Sequence, residues 1–535
     1  MRSSATSRSR QGSAGRRKGP EKPVVKAPVY AVRIEQVKTV FAEVQKWKFP
    51  ADAVLSAWFR MNKSLGSRDR AEVAEAVFDI LRNLRRYRQF AESGVGSSLQ
   101  RLAILGLSST LGHDAIRAVL TDDENAWLEH LQTIDQSALS PAVRGSLPDW
   151  LYEYFSKLDN VESLIAALNE KAPLDLRVNS FKTDRETVLA AFKDSPAEPF
   201  EPQPTPYSPW GIRLKGKPAI NRWPLFENGS LEVQDEGSQI LGMLVSPRRG
   251  EMVIDFCAGA GGKTLLLGAL MRSTGRLYAF DVSAGRLAKA KPRVARSGLS
   301  NVTPVVITSE NDARVKRLAG KAHRVLVDAP CTGMGTLRRN PDLKWRQSPK
   351  DVAELTAMQA SILASASRCV APGGRLVYST CSVLPEENEQ QIERFLQNHP
   401  DFTLLHVNEV LGDRCPNLVM ENEYLHLRPD VHGTDGFFAA VLERRKKDEV
   451  AVKKEAAEKV SVAKASSEDV AAVSNKTAET EEAVASSEIA KTVTEATKVT
   501  EATAPEATET EVAETEATET ISANKDKSVK DKRSS

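Results

Sequence analysis

The chain has 535 residues, of which 41% are apolar and 27% charged, with a formal net charge of +3. That length leaves room for two or three domains and a substantial core. The five cysteines, Cys257, Cys331, Cys369, Cys381 and Cys415, are odd in number and form no C-x-x-C pair, which excludes a disulfide framework and a zinc module and fits a reducing compartment.

Residues 1–27 hold no aromatic residue and one acid, Glu21, among many Arg, Lys and Ser. This basic stretch is expected to be a disordered tail that either touches nucleic acid through its charge or simply aids solubility. Residues 28–170 read as helical. The clearest helix begins near Ser67, with Ser67 or Asp69 as its cap, and carries the stripe Val73, Val77, Ile80, Leu81, Leu84 and Tyr87. Arg82, Arg85, Arg86 and Arg88 crowd its last turns, which suits the helix dipole better than it requires RNA phosphates. Residues 171–230 read as a small α+β connector: Leu174 to Asn179 alternates like a strand, and 195–224 is rich in Pro and Trp. From 231 to 445 the pattern becomes α/β. Strands are expected at 252–256, 276–281, 302–307, 324–328, 375–380 and 437–443, with helices at 263–271, 284–296 and 352–369 between them. That alternation implies a doubly wound, mostly parallel sheet. Residues 446–535 contain no glycine, no aromatic residue and one proline, Pro505, so this Ala/Glu/Thr-rich tail is expected to be disordered. No apolar run approaches the roughly 18–20 residues of a membrane span, and no secretory segment follows Met1.

Three motifs carry chemistry. A glycine-rich turn, Asp255-Phe256-Cys257-Ala258-Gly259-Ala260-Gly261-Gly262-Lys263-Thr264, follows the first strand and opens a helix. Small residues there let backbone N–H groups approach a ligand at a helix N-terminus. The turn matches neither G-x-G-x-x-G nor the Walker spacing, so neither a dinucleotide nor ATP is favoured. Asp281 ends the next strand, where an acid grips ribose hydroxyls. Together these point to a nucleoside-type cofactor. Asp312 follows the third strand and is placed either to accept from an adenine amino group or as a plain loop acid. Two further cysteines sit at strand ends, Cys331 in Val327-Asp328-Ala329-Pro330-Cys331-Thr332-Gly333 and Cys381 in Val377-Tyr378-Ser379-Thr380-Cys381-Ser382. The carboxyl ends of strands are where an open α/β sheet binds ligands. A cofactor loop plus two strand-end thiols suggests attack on an electrophilic ring. Cys369 is expected to pack as a small hydrophobe. The segment 337–346, with Arg338, Arg339, Lys344, Trp345 and Arg346, offers phosphate-binding cations and one aromatic for stacking.

The ordered set D-F-C-A-G-A-G-G-K-T, D-A-P-C-T-G-x-G and S-T-C-S resembles the Sun/RsmB-type family of RNA cytosine-5 methyltransferases, as do Arg177-Val178-Asn179 and Glu232-Val233-Gln234-Asp235-Glu236-Gly237-Ser238. The resemblance covers about 30–445 of the sequence. It implies a Rossmann-like class I methyltransferase domain. It implies S-adenosylmethionine held by Cys257, Ala258, Gly259, Ala260, Gly261, Gly262 and Lys263, with Asp281 on the ribose, Asp312 near the adenine and Asp328 also in the cofactor site. It implies Cys381 as nucleophile and Cys331 as the thiol that releases product. A thiolate adding to carbon 6 of cytosine makes carbon 5 nucleophilic, and Asp328 is placed to hold N3. Lys263 would hold the ring, lower the thiol pKa values or simply pack at the helix start. The family's usual Ala-Pro-Gly-Gly is Gly259-Ala260-Gly261-Gly262 here, and loss of the proline is expected to loosen the loop while binding survives.

The helical region, with Ala51-Asp52-Ala53-Val54-Leu55 and Leu65-Gly66-Ser67-Arg68-Asp69-Arg70, resembles the NusB-like RNA-binding domain of the bacterial RsmB branch. That implies small-subunit ribosomal RNA as partner ahead of tRNA, with no membrane, no metal, a cytoplasmic location and a monomer. The other readings are a silent RNA-binding assembly factor, which the intact cysteine pair opposes, and a small-molecule methyltransferase, which needs neither two thiols nor a helical domain. A chain ending at residue 446 is expected to keep methyl transfer within about tenfold of the full chain, measured as incorporation of labelled methyl groups into RNA.

Overall fold

The computed structural model describes residues 28–446. The tails expected over 1–27 and 446–535 lie outside the described residues, save for Lys446 itself.

Apolar residues at helical spacing generate the helices between Val29 and Asn169. The longest, Ser67–Phe90, starts where the Asp69 carboxylate accepts the Gly66 N–H at 3.0 Å. Its stripe, Val73 through Tyr87, is buried against Val37, Phe41, Ile104 and Leu107 of neighbouring helices. Three of its crowded arginines have structural partners. Arg82 donates to the Arg338 carbonyl at 2.9 Å, Arg85 to the Leu147 carbonyl at 2.7 Å, and Arg86 to Gln136 at 3.0 Å. The helical region is two packing units rather than one. Asp149–Phe155 and Val161–Asn169 bury Leu151, Phe155, Leu164 and Leu168 against Met334, Leu337 and Leu384 from the segments after the strand-end cysteines and against Val352 of the helix Pro349–Ser367. An apolar stripe announces that it will be covered but not by what.

A four-stranded antiparallel sheet comes next: β1 (Leu174–Val178), β2 (Gln203–Pro204), β3 (Gly211–Leu214) and β4 (Leu231–Val233), in the order β2-β3-β1-β4. Val188 and Phe192 of the helix Arg185–Phe192 cover it. Because β4 follows residue 230, this sheet crosses the division expected there.

The large sheet has eight strands: β5 (Met252–Asp255), β6 (Arg276–Asp281), β7 (Val302–Val306), β8 (Ala322–Asp328), β9 (Val370–Thr380), β10 (Phe402–Leu405), β11 (Leu425–Leu427) and β12 (Phe437–Arg444). Its order is β10-β12-β9-β8-β5-β6-β7, with β11 also on β12. The five strands β5 to β9 are parallel, and β12 runs antiparallel to β9, β10 and β11. This is the mostly parallel doubly wound sheet that the alternation implies. β10 and β11, of four and three residues, carry too short a pattern to be read beforehand. From β5 the chain winds outward through β6 and β7, then returns to β8 and β9 on the other side. The reversal opens a crevice above the carboxyl ends of β5 and β8.

The segment 337–346 does not present its cations and its aromatic side chain to RNA; it docks the large sheet on the helices. Lys344 is buried, and its Nζ donates to the Arg82 carbonyl (2.7 Å), the Ser146 carbonyl (3.0 Å) and Asn169 Oδ1 (2.8 Å). Burial pushes its pKa well below the ordinary lysine value. Trp345 donates its ring N–H to the Leu81 carbonyl at 2.9 Å and packs on the helical core. Arg338 pairs with Asp435, and Arg339 with both Asp435 and Asp235. The residue types suited RNA, but buried acceptors captured them first. Lys344→Met is expected to lower stability by about 3 kcal/mol, because three buried acceptors lose their donor; urea unfolding of the full chain measures it.

Candidate active site

The crevice at the sheet reversal contains a cavity of about 740 Å³. Its wall brings together Cys257, Ala258, Gly259, Ala260, Gly262 and Lys263 from the loop after β5, Asp281 from the end of β6, Asp328 and Cys331 from the end of β8, and Cys381 from the end of β9. Ten of the twelve residues singled out from the sequence therefore face one space; Gly261 and Asp312 do not.

The glycine loop is held from several sides. Gly259 and Gly261 take φ of +55° and +83°, a region that favours glycine. A Cβ on Gly259 would meet nothing within 4 Å. The Gly261 N–H donates to the Ala258 carbonyl at 2.8 Å, and the helix Gly262–Leu270 starts there. Asp281, 2% exposed, accepts the Gly259 N–H at 2.9 Å through one oxygen and the Ser283 N–H (2.7 Å) and Arg286 (3.0 Å) through the other. Buried Arg177 donates to the Gly262 carbonyl at 2.9 Å and to Gln234. Arg293 donates to the Ala260 carbonyl at 2.7 Å. Glu232, buried, pairs with Arg293 and Arg296 at 2.9 and 2.6 Å and so fixes the first of these. The motif residues around 177 and 232 thus hold the loop by its carbonyls.

Asp312 lies outside this wall. Its oxygens accept from the Thr308 N–H (2.9 Å), the Arg314 N–H (2.8 Å) and the Arg314 side chain, capping the turn Ala313–Lys316. The Arg314 guanidinium holds its carboxyl well below the usual carboxylate range. Thr308, Ser309 and Glu310 line the cavity in its place.

The two thiols lie 3.3 Å apart and are half-buried. β8 and β9 are neighbours whose ladder pairs Asp328 with Ser379, so the residues just beyond both strands emerge side by side. The Cys381 carbonyl accepts the Gly335 N–H at 2.9 Å, tying the Cys331 loop to the Cys381 backbone. Gly335 packs against Gly436 so closely that a Cβ would lie 2.1 Å from the Gly436 carbonyl oxygen. The hydrogen bond with Cys381, burial and the nearby Glu387 carboxylate all push the Cys331 thiol well above its ordinary pKa. Lys263 lies beside the pair and bonds Asp328 at 2.7 Å. Burial disfavours the Lys263 charge, but Asp328 more than offsets it and leaves the pKa raised. Asp328 also accepts from Ser379 at 3.3 Å. Cys369 is buried in the sheet core, as expected, and Cys415 is buried beside Met243. Sequence reasoning missed Gln359, Glu387 and Asn388, whose side chains surround the cysteine loops. The polar run 386–391, shortly after the strand ending at Thr380, marks Glu387 and Asn388, and nothing local marks Gln359 inside its helix.

Comparison with known proteins finds a methyltransferase family. Residues 242–443 match the family described as 16S rRNA methyltransferase RsmB/F, and residues 147–221 match the RsmF/B-like ferredoxin-like domain. A protein of Synechocystis sp. named probable ribosomal RNA small subunit methyltransferase B is 37% identical over 315 residues, spanning 58% of this chain and 70% of that one. The chain belongs to the RsmB/F methyltransferase family. A second relative, the ribosomal RNA small subunit methyltransferase B of Erwinia tasmaniensis, is 35% identical over 301 residues, which cover 55% of this chain and 66% of the relative. The crystal structure of PH0851 matches with a TM-score of 0.62 at 26% identity, covering 78% of this chain and 100% of that one. This family member is therefore an enzyme, a methyltransferase, and its cofactor is S-adenosylmethionine.

The cavity also holds a titrating group. Burial pushes the Asp255 carboxyl up to about 7, against the opposing hydrogen bond from Thr264 at 2.6 Å. An unfolded aspartate ionises near about 4, so stability tied to protonated Asp255 is full below that pH and is lost by about 7. Asp255→Asn is expected to gain stability relative to wild type as pH rises through this window and to level off above it; urea unfolding at pH 4, 5.5 and 8 measures the difference.

Proposed function

We propose that this methyltransferase acts on carbon 5 of a cytosine in small-subunit ribosomal RNA, through covalent attack by Cys381. The observation that carries this is the pair of thiols 3.3 Å apart in the wall of the cofactor cavity, with Lys263 and Asp328 beside them. Methylation of an amino group or a hydroxyl needs no thiol, whereas carbon 5 of cytosine is a poor nucleophile until a thiolate adds to carbon 6.

The residues fit S-adenosylmethionine. The empty side of Gly259 leaves space against the loop, the Gly262–Leu270 helix presents its N-terminus, and Asp281 has one acceptor site beyond its three donors for a ribose hydroxyl. Gly259, Ala260, Gly262, Lys263 and Asp281 would hold it. When bound, it supplies an electrophilic methyl group.

The rest is done by the chain. The contact with Cys381, burial and the Glu387 carboxylate all favour the neutral Cys331 thiol, so the addition to carbon 6 is assigned to Cys381. Lys263 places a positive charge near that sulfur. Asp328, held by Lys263 and Ser379, is positioned to hold the N3 side of the ring as charge moves onto it. After carbon 5 is methylated its proton leaves to a water that Cys331 holds. The bond from Cys381 to carbon 6 then breaks and 5-methylcytosine is released. The cavity is large enough for cofactor and an unstacked base together.

The helices before residue 170 are the proposed RNA-holding part. Exposed Phe49 and Met61 sit among exposed Lys46, Lys48, Arg60 and Lys63, a mixture of stacking surface and phosphate-binding charge. No helix among the described residues is long and apolar enough to cross a membrane. The setting we propose is a monomer in the cytoplasm.

The test uses the full chain, labelled S-adenosylmethionine and unmodified small-subunit ribosomal RNA. Wild type is expected to transfer methyl groups to cytosine carbon 5. Cys381→Ala is expected to lose at least about 1000-fold in rate, and Cys331→Ala to accumulate a covalent protein–RNA adduct. Transfer to tRNA alone would move the substrate, and transfer without need of Cys381 would overturn the mechanism.

A further inference from the structure

We propose that Glu387 and Asn388 are positioning residues that grip both neighbours of each cysteine and so set the distance between the two thiols. This rests on the reading that Cys331 and Cys381 act together.

The sheet cannot do this. The β8–β9 ladder ends at the Asp328–Ser379 pair, and both thiols lie beyond it. A turn, Pro385–Glu387, then brings two consecutive buried polar side chains under the two loops. The Asn388 side-chain oxygen accepts the Thr380 hydroxyl at 2.6 Å, and its amide nitrogen donates to the Ser382 carbonyl at 3.1 Å. Residues 380 and 382 flank Cys381. The Glu387 carboxylate accepts the Thr332 N–H at 2.8 Å, the Thr332 hydroxyl at 2.5 Å and the Gln359 amide at 3.0 Å. Gln359 also donates to the Pro330 carbonyl at 2.9 Å. Residues 330 and 332 flank Cys331. The turn is itself tied to β9, since the Tyr378 hydroxyl donates to the Glu387 carbonyl at 2.6 Å.

Glu387 has a second effect. Its side chain is fully buried, and no cation is paired with it among the described residues. A carboxylate at this place disfavours a second negative charge on Cys331. It therefore adds to the contact with Cys381 and to burial in favouring the neutral Cys331 thiol, leaving attack to Cys381.

The test has one arm that needs neither RNA nor cofactor. Diamide removes one hydrogen from each thiol, forms the Cys331–Cys381 bond and becomes the hydrazine, so the rate of disulfide closure reports the sulfur–sulfur register. Wild type is expected to close faster than any other cysteine pair, read by peptide mapping. Asn388→Ala is expected to slow closure by about tenfold or more and to lower kcat by about 100-fold with KM for RNA little changed. Thr380→Val, which removes only the hydroxyl, is expected to give a smaller loss of the same kind and serves if Asn388→Ala does not fold. Glu387→Gln keeps the acceptor for Thr332 and removes the charge. It should close near the wild-type rate, while the limb of the kcat–pH profile belonging to Cys331 moves to lower pH. Closure and kcat within twofold of wild type in both Asn388→Ala and Thr380→Val would overturn the proposal, as would an unmoved pH profile in Glu387→Gln. Slowed closure in variants of an enzyme that methylates no RNA would leave the grip standing and overturn the proposed function instead.

Discussion

The active site depends on one constraint, which is that two parallel neighbours, β8 and β9, end together beside β5. A parallel ladder spaces strands by about 4.8 Å, so side chains just past the last paired residues start close to contact distance. The reversal of winding at β5 keeps helices from covering this end of the sheet. The cofactor loop, the acid at the end of β6 and both thiols are thus placed by backbone pairing before any of their own contacts are made. Side chains then refine what the ladder leaves loose. Arg177 and Arg293 hold loop carbonyls, and Glu387 and Asn388 hold the cysteine loops.

The loop after β5 shows how the work is divided. A proline would restrict its backbone from within; Ala260 does not. Here rigidity comes from outside, through guanidinium groups on the Ala260 and Gly262 carbonyls, one of them anchored by Glu232. The loosening expected from the missing proline is therefore opposed by tertiary contacts that lie far away in the sequence.

Much of this was legible beforehand because it depends on local pattern. Short apolar runs ending in turn residues marked the strand ends that carry Asp281, Cys331 and Cys381, and the small residues from 257 to 262 marked the loop. What escaped depends on partners. Asp281 and Asp312 both follow strands, yet only one faces the cavity, because Arg314 lies two residues from Asp312 and takes its carboxylate. Trp345 and Lys344 have the composition of an RNA-binding loop, but carbonyls of the helical layer bind them instead. Glu387 reads as one acid in a polar run, and nothing local reveals that it is buried. The helices after 141 show the same gap, since their stripes did not disclose that the cysteine loops are their core.

The back-to-back packing of Gly335 and Gly436 limits how this enzyme can vary. Each leaves no room for a methyl group on the other's backbone, and each donates or accepts a hydrogen bond across the contact. Neither position tolerates a first step, so no sequence of single substitutions can exchange the pair while the Gly335 N–H stays on the Cys381 carbonyl. Sequence drift around Cys381 is thereby confined to directions that keep two glycines far apart in the chain, and a designer seeking a wider pocket must leave this contact alone and enlarge the opposite wall.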